Sequence, residues 1–281
     1  MLLIIGSKGM LGSAIKNTLQ RKNVNFCHLS RDDLDFLEFE SLENKINELS
    51  PDLIVNCAAK ININECEENF LETSKINIDL PAFINKICMR KQIKFVQIST
   101  DHFFDDDKIK KNNENSKIII KNKYAFQKLE AEKQISINSN ALIIRTSILG
   151  YNERNSSLIQ WILKEIKENK EISGFANVYT SSIDVFSLSE LICKHAYKLS
   201  GIYNIASSDV YSKYDLIEKI INKLDLSNKV ALNRIYVEKT DKRAHNCGLD
   251  CSKFINEVSE DLPNLDKVLE KLNIEVAYEK I

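Results

Sequence analysis

The chain has 281 residues, 43% of them hydrophobic and 28% charged, with a formal net charge of −1. That composition excludes a disordered chain, and the length fits one large domain with a smaller lobe. Acidic and basic residues are mixed throughout, so no field of one sign gathers nucleic acid or an anionic membrane, and neither is expected as a partner.

The opening "MLLIIG" is apolar for only five residues and has no basic leader, which reads as a first strand and not as a signal peptide or a membrane span. A helical pattern follows across Leu11, Ile15 and Leu19. Next come a strand "VNFCHL", a helix around Leu42 and Ile46, and a strand "DLIVNCAA". A helix from about Leu71 to Met89 precedes "IKFVQIST", and one from about Tyr124 to Ile137 precedes "ALIIRTS". Strands separated by helices of this length predict right-handed βαβ units, hence a doubly wound α/β domain of the Rossmann type over residues 1–150. Between Asp105 and Lys123 a run dense in charge and Asn reads as a solvated loop, with a mobile flap over a site as the functional alternative.

Beyond residue 150 the pattern changes to a helix "SLIQWILKEIKEN", a hairpin-like stretch "EISGFANVYTSS", a helix "SLSELICKHAYKL" and a short strand "GIYNIA". Residues 151–281 are expected to form a smaller mixed α/β lobe for substrate, with strand exchange between the two domains allowed. Seven cysteines (Cys27, Cys57, Cys66, Cys88, Cys193, Cys247 and Cys251) form an odd, scattered set that reads as reduced thiols of a cytoplasmic protein. His245, Cys247 and Cys251 lie close together, but with no fourth ligand and no second pair at regular spacing, no metal is expected.

"IIGSKGMLGSAI" sets Gly6, Gly9 and Gly12 between the first strand and the first helix, with Met10 and Leu11 inside the loop. A tight turn, a close approach of backbone N–H groups to a pyrophosphate and close helix–strand packing are each easiest without a β-carbon. The spacing is G-x-x-G-x-x-G and not G-x-G-x-x-G, yet its position predicts a dinucleotide site. At the end of the second strand, Ser30 and Arg31 lean toward NADP, while Asp32, Asp33 and Asp35 keep NAD open. Cys57, Ala58 and Ala59 in "VNCAA" are small enough for backbone to pass close to a cofactor, though a plain buried strand end would look the same.

"YAFQK" gives Tyr124 and Lys128 at i and i+4 on one helix face. Alone, that pair also describes a solvated face. As the acid of a reductase, Tyr124 would protonate a carbonyl oxygen while the Lys128 ammonium lowers the phenol's pKa and binds the nicotinamide ribose. The pair follows by about 25 residues a strand ending in Ser99 and Thr100. This order resembles the extended short-chain dehydrogenase/reductases.

More closely, the chain resembles the dTDP-4-dehydrorhamnose reductase family and its sugar-nucleotide-binding relatives. The resemblance runs through "GSKGMLGSAI", "LSPDLIVNCAA", "INIDLPA", "ISTDHFF", "YAFQKLEAE", "LIIRTSILG", "VYTSSIDVFSLSELI", "GIYNIASSD" and "RAHNCGLDCSK", nearly the whole chain. It implies NADPH or NADH on the glycine loop, and Thr100, Tyr124 and Lys128 as the catalytic set reducing a 4-keto group on a nucleotide-linked deoxysugar. It also implies a C-terminal lobe that holds the sugar nucleotide, and it admits a homodimer. Departures fall on the substrate side: His102 and Phe103 where the family reads Tyr-Val, Lys60 after "NCAA", and no proline after Arg243. Asp101, His102 and Arg243 are candidate substrate contacts. An epimerase that uses NAD transiently and a non-catalytic regulatory subunit are alternatives on the same scaffold; His102, where dehydratases carry Glu, counts against dehydration.

Overall fold

A computed structural model describes residues 1–104, 111–153, 155–238 and 242–280. In chain order they form β1 (Leu2–Ile5), α1 (Met10–Arg21), β2 (Phe26–Leu29), α2 (Phe39–Leu49), β3 (Leu53–Asn56), α3 (Ile63–Glu68) and α4 (Phe70–Ser74). A π-helical turn, Lys75–Asp79, joins α4 to α5 (Leu80–Lys91), which leads to β4 (Lys94–Ile98), α6 (Lys123–Ile135) and β5 (Ala141–Arg145). There follow β6 (Ile148–Leu149), α7 (Leu158–Lys167), β7 (Ile172–Phe175), β8 (Tyr179–Thr180), β9 (Ile183–Asp184), α8 (Val185–His195) and β10 (Gly201–Asn204). The last stretch holds β11 (Tyr211–Ser212), α9 (Lys213–Lys223), β12 (Leu232–Ile235), β13 (Asn246–Cys247), α10 (Ser252–Val258), α11 (Leu265–Lys271) and α12 (Ile274–Lys280).

The chain divides into two compact units that interleave along the sequence. Unit 1 takes Met1–Thr100, Ile120–Arg145 and Ser189–Tyr203; unit 2 takes Asp101–Ile119, Thr146–Leu188 and Asn204–Ile281. A single cut near residue 150 therefore does not describe the compact units. The reason is that β10, well beyond that point in sequence, takes the edge of the first unit's sheet beside β5.

Unit 1 is the expected Rossmann-like layer. Its sheet runs β10-β5-β4-β3-β1-β2, with β2–β1, β1–β3, β3–β4 and β4–β5 parallel. Strands buried on both faces should be apolar throughout rather than alternating, and "LLII" of β1 is buried at every position. Leu3, Ile5, Ile54, Phe95 and Ile143 line one face and pack with Leu42 and Ile46 of α2, Ile84 and Ile87 of α5 and Ile135 of α6. From β1 the chain first goes out to β2 and then returns past β1 to β3, so the order reverses between β1 and β3. The C-terminal ends of those strands are where ligands of such sheets sit.

Two expectations need correction. The helix expected over Leu71–Met89 is interrupted by the π-helical turn, whose extra residue carries Asn77 into the interior. The hairpin expected in "EISGFANVYTSS" is instead two strands of unit 2 with separate partners: β7 pairs parallel with β12, while β8 lies between β11 and β13. α9 lies close on β7, where a β-carbon at Gly174 would lie 2.7 Å from the Tyr214 Cα. Unit 2 closes its own core from Ile159, Ile162 and Ile166 of α7, Leu216 and Ile220 of α9, and Val268 and Leu269 of α11.

Of the expected loop after Asp105, residues 105–110 lie outside the described residues. In the described remainder, Lys111, Asn113, Asn115 and Lys117 are exposed as a solvated loop requires, but Asn112 between them is anchored within unit 2. Asn112 is buried, its N–H donates to the Gly248 carbonyl at 2.8 Å, and its own carbonyl accepts from Asn204 Nδ2 at 2.9 Å.

Candidate active site

Two tasks expected of the glycine loop, the tight turn and the close packing of α1, fall on Gly6 and Gly12. Gly6 sits at φ +86°, a conformation that disfavours side chains, and a β-carbon there would lie 2.8 Å from the Ala58 nitrogen. At Gly12 a β-carbon would lie 2.3 Å from the Gly6 carbonyl oxygen, so α1 can pack this closely only with glycine. Gly9 differs: it caps α1 in extended conformation, and its absent β-carbon would meet only the Gly6 oxygen, at 3.3 Å. The fold has no strong need for glycine there, whereas a ligand lying against the loop does. Gly9 has no side chain to cap α1, so the N–H groups that follow it, those of Met10, Leu11 and Gly12, are the ones an anion at this helix start would meet. The loop thus fits a dinucleotide pyrophosphate.

At the end of β2 the polar groups are already ordered among themselves. The Ser30 hydroxyl and N–H both donate to Asp33 Oδ2, at 2.7 and 2.8 Å, which holds that carboxyl below its usual pKa range. Asp32 pairs with Lys8 of the glycine loop, and Arg31 is exposed. Ser30 therefore shapes the turn, and two of the carboxylates that kept NAD open have protein partners.

The ends of β3 and β4 meet α6 in unit 1. Asn56, fully buried, accepts the Ala58 N–H at 3.1 Å and donates to Gln97 Oε1 at 2.8 Å, which fixes the turn through Cys57 and Ala58. The Asn122 side chain caps α6 by accepting the Ala125 N–H at 2.8 Å, and this starts the helix where Tyr124 falls in its first turn. Tyr124 and Lys128 are both buried, so the pair is not a solvated face. The Lys128 amine donates to the Ile98 carbonyl at 2.7 Å, two residues before the buried Thr100. Burial pulls the Lys128 pKa down to about 8, against the pull of Glu132 and Cys57, and burial pushes the Cys57 thiol up to about 12. Thr100, Tyr124, Lys128 and the 57–59 turn all belong to unit 1.

Sequence reasoning missed the polar groups that hold this arrangement. Asn77, on the π-helical turn, accepts the Lys60 N–H at 2.9 Å and donates to the Lys60 carbonyl at 2.8 Å, clamping the chain just past Ala59. It also donates to Gln127 Oε1 at 2.7 Å, and Gln127 Nε2 reaches Thr73 Oγ1 at 2.8 Å and Ser74 Oγ at 3.0 Å. Gln127 is the fourth residue of "YAFQK", next to Lys128 and one turn from Lys123 and Glu130, and no local pattern marks it as buried. The Lys60 amine itself pairs with Glu65 at 2.6 Å.

Asp101, His102 and Arg243 belong to unit 2. Thr180, at the centre of the three-stranded sheet, donates to Asp101 Oδ2 at 3.2 Å, and the His102 ring lies 3.9 Å from Asp101 Oδ1. Burial pulls the His102 pKa below its usual range; Lys213 and Arg243 pull the same way and Asp101 opposes them. The Arg243 guanidinium lies over the Phe175 ring, 5.6 Å from its centroid. All seven cysteines are free thiols, and among the described residues no group of three or more His, Cys, Asp or Glu side chains is placed to hold a metal ion. No helix among them is long and apolar enough to cross a membrane.

A family model described as the RmlD substrate binding domain matches residues 1–276. The chain belongs to that family. Among its relatives, the probable low-salt glycan biosynthesis reductase Agl14 of Haloferax volcanii is 24% identical over 77% of this chain and 78% of its own. A dTDP-4-dehydrorhamnose reductase of Aggregatibacter actinomycetemcomitans is 23% identical over 90% of this chain and 91% of its own. The crystal structure of dTDP-4-dehydrorhamnose reductase from Bacillus anthracis in complex with NADP is similar in fold, with a TM-score of 0.90 and 22% identity over 98% of each chain. The RmlD family match and these likenesses agree with the doubly wound architecture expected from the sequence.

Proposed function

We propose that the protein is an NADPH-dependent reductase of a nucleotide-linked 4-keto-6-deoxy sugar, working in the cytoplasm in the synthesis of a surface glycan. The observation that carries this reading is Lys128, a buried amine one helical turn from buried Tyr124, held on the Ile98 carbonyl at the strand end that bears Thr100. The names of the relatives, reductases of dTDP-4-dehydrorhamnose and of glycan biosynthesis, support the same class.

A nicotinamide cofactor, when bound, supplies the hydride. The N–H groups of Met10, Leu11 and Gly12 would hold its pyrophosphate, Arg31 its 2'-phosphate, the Cys57–Ala59 backbone would lie along it, and Lys128 would bind the nicotinamide ribose. The NADP choice follows from exposed Arg31 beside carboxylates that already have protein partners. As hydride reaches the keto carbon, the Tyr124 hydroxyl gives its proton to the carbonyl oxygen, and C=O becomes CH–OH. The Thr100 hydroxyl holds that oxygen by hydrogen bond and shares its developing charge. Lys128, with a pKa of about 8, is charged at neutral pH and favours the phenolate that Tyr124 leaves behind. In this reading unit 2 binds the sugar nucleotide, with Asp101, His102 and Arg243 as contacts.

Tyr124→Phe tests the assignment. Reduction of a panel of 4-keto-6-deoxy sugar nucleotides, followed by cofactor oxidation, should fall by about 10² to 10⁴ while NADPH still binds. Undiminished reduction by this variant would remove Tyr124 from its role. Bound NAD without net turnover would favour the epimerase, and a wild type inert on every substrate but holding a stoichiometric partner would favour the regulatory subunit.

A further inference from the structure

Glu132 lies on α6 one turn beyond Lys128, as Lys128 lies one turn beyond Tyr124, so the three share a helix face. It is only 2% exposed, and a carboxylate so buried is tolerated only when paired. Arg145 of β5 supplies the pairing, with Nε 3.1 and 3.2 Å from the two carboxylate oxygens and Nη2 at 2.7 Å from Oε2. The Ser99 hydroxyl donates to Oε1 at 2.6 Å. Ser99 stands between Ile98, whose carbonyl receives Lys128, and Thr100. Helix and strand end are therefore joined at successive residues, at 98 through Lys128 and at 99 through Glu132.

Resting on the reductase reading above, we propose that Glu132 is a positioning residue for Thr100, Tyr124 and Lys128: gripped by Arg145, it fixes the end of β4 to α6 through Ser99 and gives the Lys128 ammonium its counter-charge. A strand end held only by its last ladder bond, the Ser99 N–H to the Ile144 carbonyl at 2.7 Å, can still pivot. A second bond from the Ser99 side chain removes that freedom one residue before the substrate-holding hydroxyl. The electrostatic half rests on what faces each group. Lys128 is faced by Glu132 on its own helix, Cys57 after β3 and the Ile98 carbonyl on β4; Glu132 is faced by Arg145 on β5 and Ser99 just after β4. Of the charges that act on Lys128, Glu132 is the strongest that favours its protonated form.

Glu132→Gln alone leaves Arg145 buried beside an amide and is expected to fold poorly. Glu132→Gln with Arg145→Gln removes both charges and keeps the volume. In protein made with carbon-labelled lysine, the Lys128 Cε resonance, assigned by its loss in Lys128→Arg, should titrate at about 8 in the wild type. In the double variant it should titrate about 0.5 to 1 pH unit lower, and in Glu132→Asp close to the wild type. The alkaline limb of the kcat profile should move with it. Ser99→Ala should keep the wild-type Lys128 titration and lower kcat several-fold with the cofactor KM unchanged. A folded double variant that titrates as the wild type does, or a Ser99→Ala enzyme with full kcat, would overturn the proposal. The titration needs no substrate, so a moved inflection in a protein that reduces no keto sugar would sink the reductase reading and leave the Glu132 coupling standing.

Discussion

Folding takes the Lys128 amine out of water and gives it the Ile98 carbonyl in return, which leaves its pKa at about 8 against an ordinary 10.5. The sign of the consequence follows from proton counting. Between those two values the unfolded chain binds the proton and the folded one does not, so stability rises with pH across that window. Below 8 the cost of burying the charged amine is present in full. Lys128→Met has no such amine, so the wild type should gain on it by on the order of 2 to 3 kcal/mol between pH 8 and 10.5, read from denaturant titrations at the two ends. A difference that does not change with pH would mean that burial leaves the Lys128 pKa at its ordinary value. Lys128 and Tyr124 were legible in the sequence because helical spacing alone puts them on one face. Their supports were not, since Glu132 meets residues 13 and 33 positions away, and Asn77 meets Gln127 50 positions away. Nothing local in the sequence ties such partners together.

Among the elements, the glycine loop joins β1 to α1 where the sequence put it, and its three positions are unequal. Gly12 serves helix packing and Gly6 serves the turn, whereas Gly9 keeps open the face to which a pyrophosphate would come. Gly9→Ala should leave thermal stability nearly unchanged and weaken NADPH binding about tenfold or more, by tryptophan-independent fluorescence of the cofactor. Gly12→Ala should instead lower stability by about 1 to 3 kcal/mol, because α1 must shift away from the Gly6 carbonyl. If both variants lose cofactor and stability alike, the division between them is wrong. The strand–helix alternation of unit 1 was readable because each βαβ unit repeats a local period. The π-helical turn was not, because one extra residue leaves the apolar pattern of "LETSKINIDLPAFI" almost intact while rotating Asn77 inward. In unit 2 the short strands carry too few residues to announce their partners, and β7 finds its own only at β12.

At the scale of the whole molecule, the compact units are each built from three separate stretches of chain. The buried Lys94 amine of β4 shows what the late stretch contributes to unit 1: it bonds the Ser200 hydroxyl at 3.2 Å and also the Leu199 carbonyl, both in the segment leading into β10. A fragment of residues 1–150 lacks that segment, so it should leave Lys94 without these acceptors and the edge of β5 bare. Such a fragment should be poorly soluble and melt well below the full chain by circular dichroism, whereas a soluble fragment with native stability would show that β10 is dispensable. Sequence periodicity sees elements and not the order in which they are assembled, which is why a cut at 150 looked natural.

The place of β10 also has a consequence in time. A ribosome working at about 5 to 20 residues per second needs several seconds to pass from the end of β5 to Gly201, and through that interval the nascent sheet exposes a strand edge able to pair with any neighbouring chain. The period of greatest danger for this protein comes before β10 has been made, when the half that looks complete in sequence is still waiting for its closing strand.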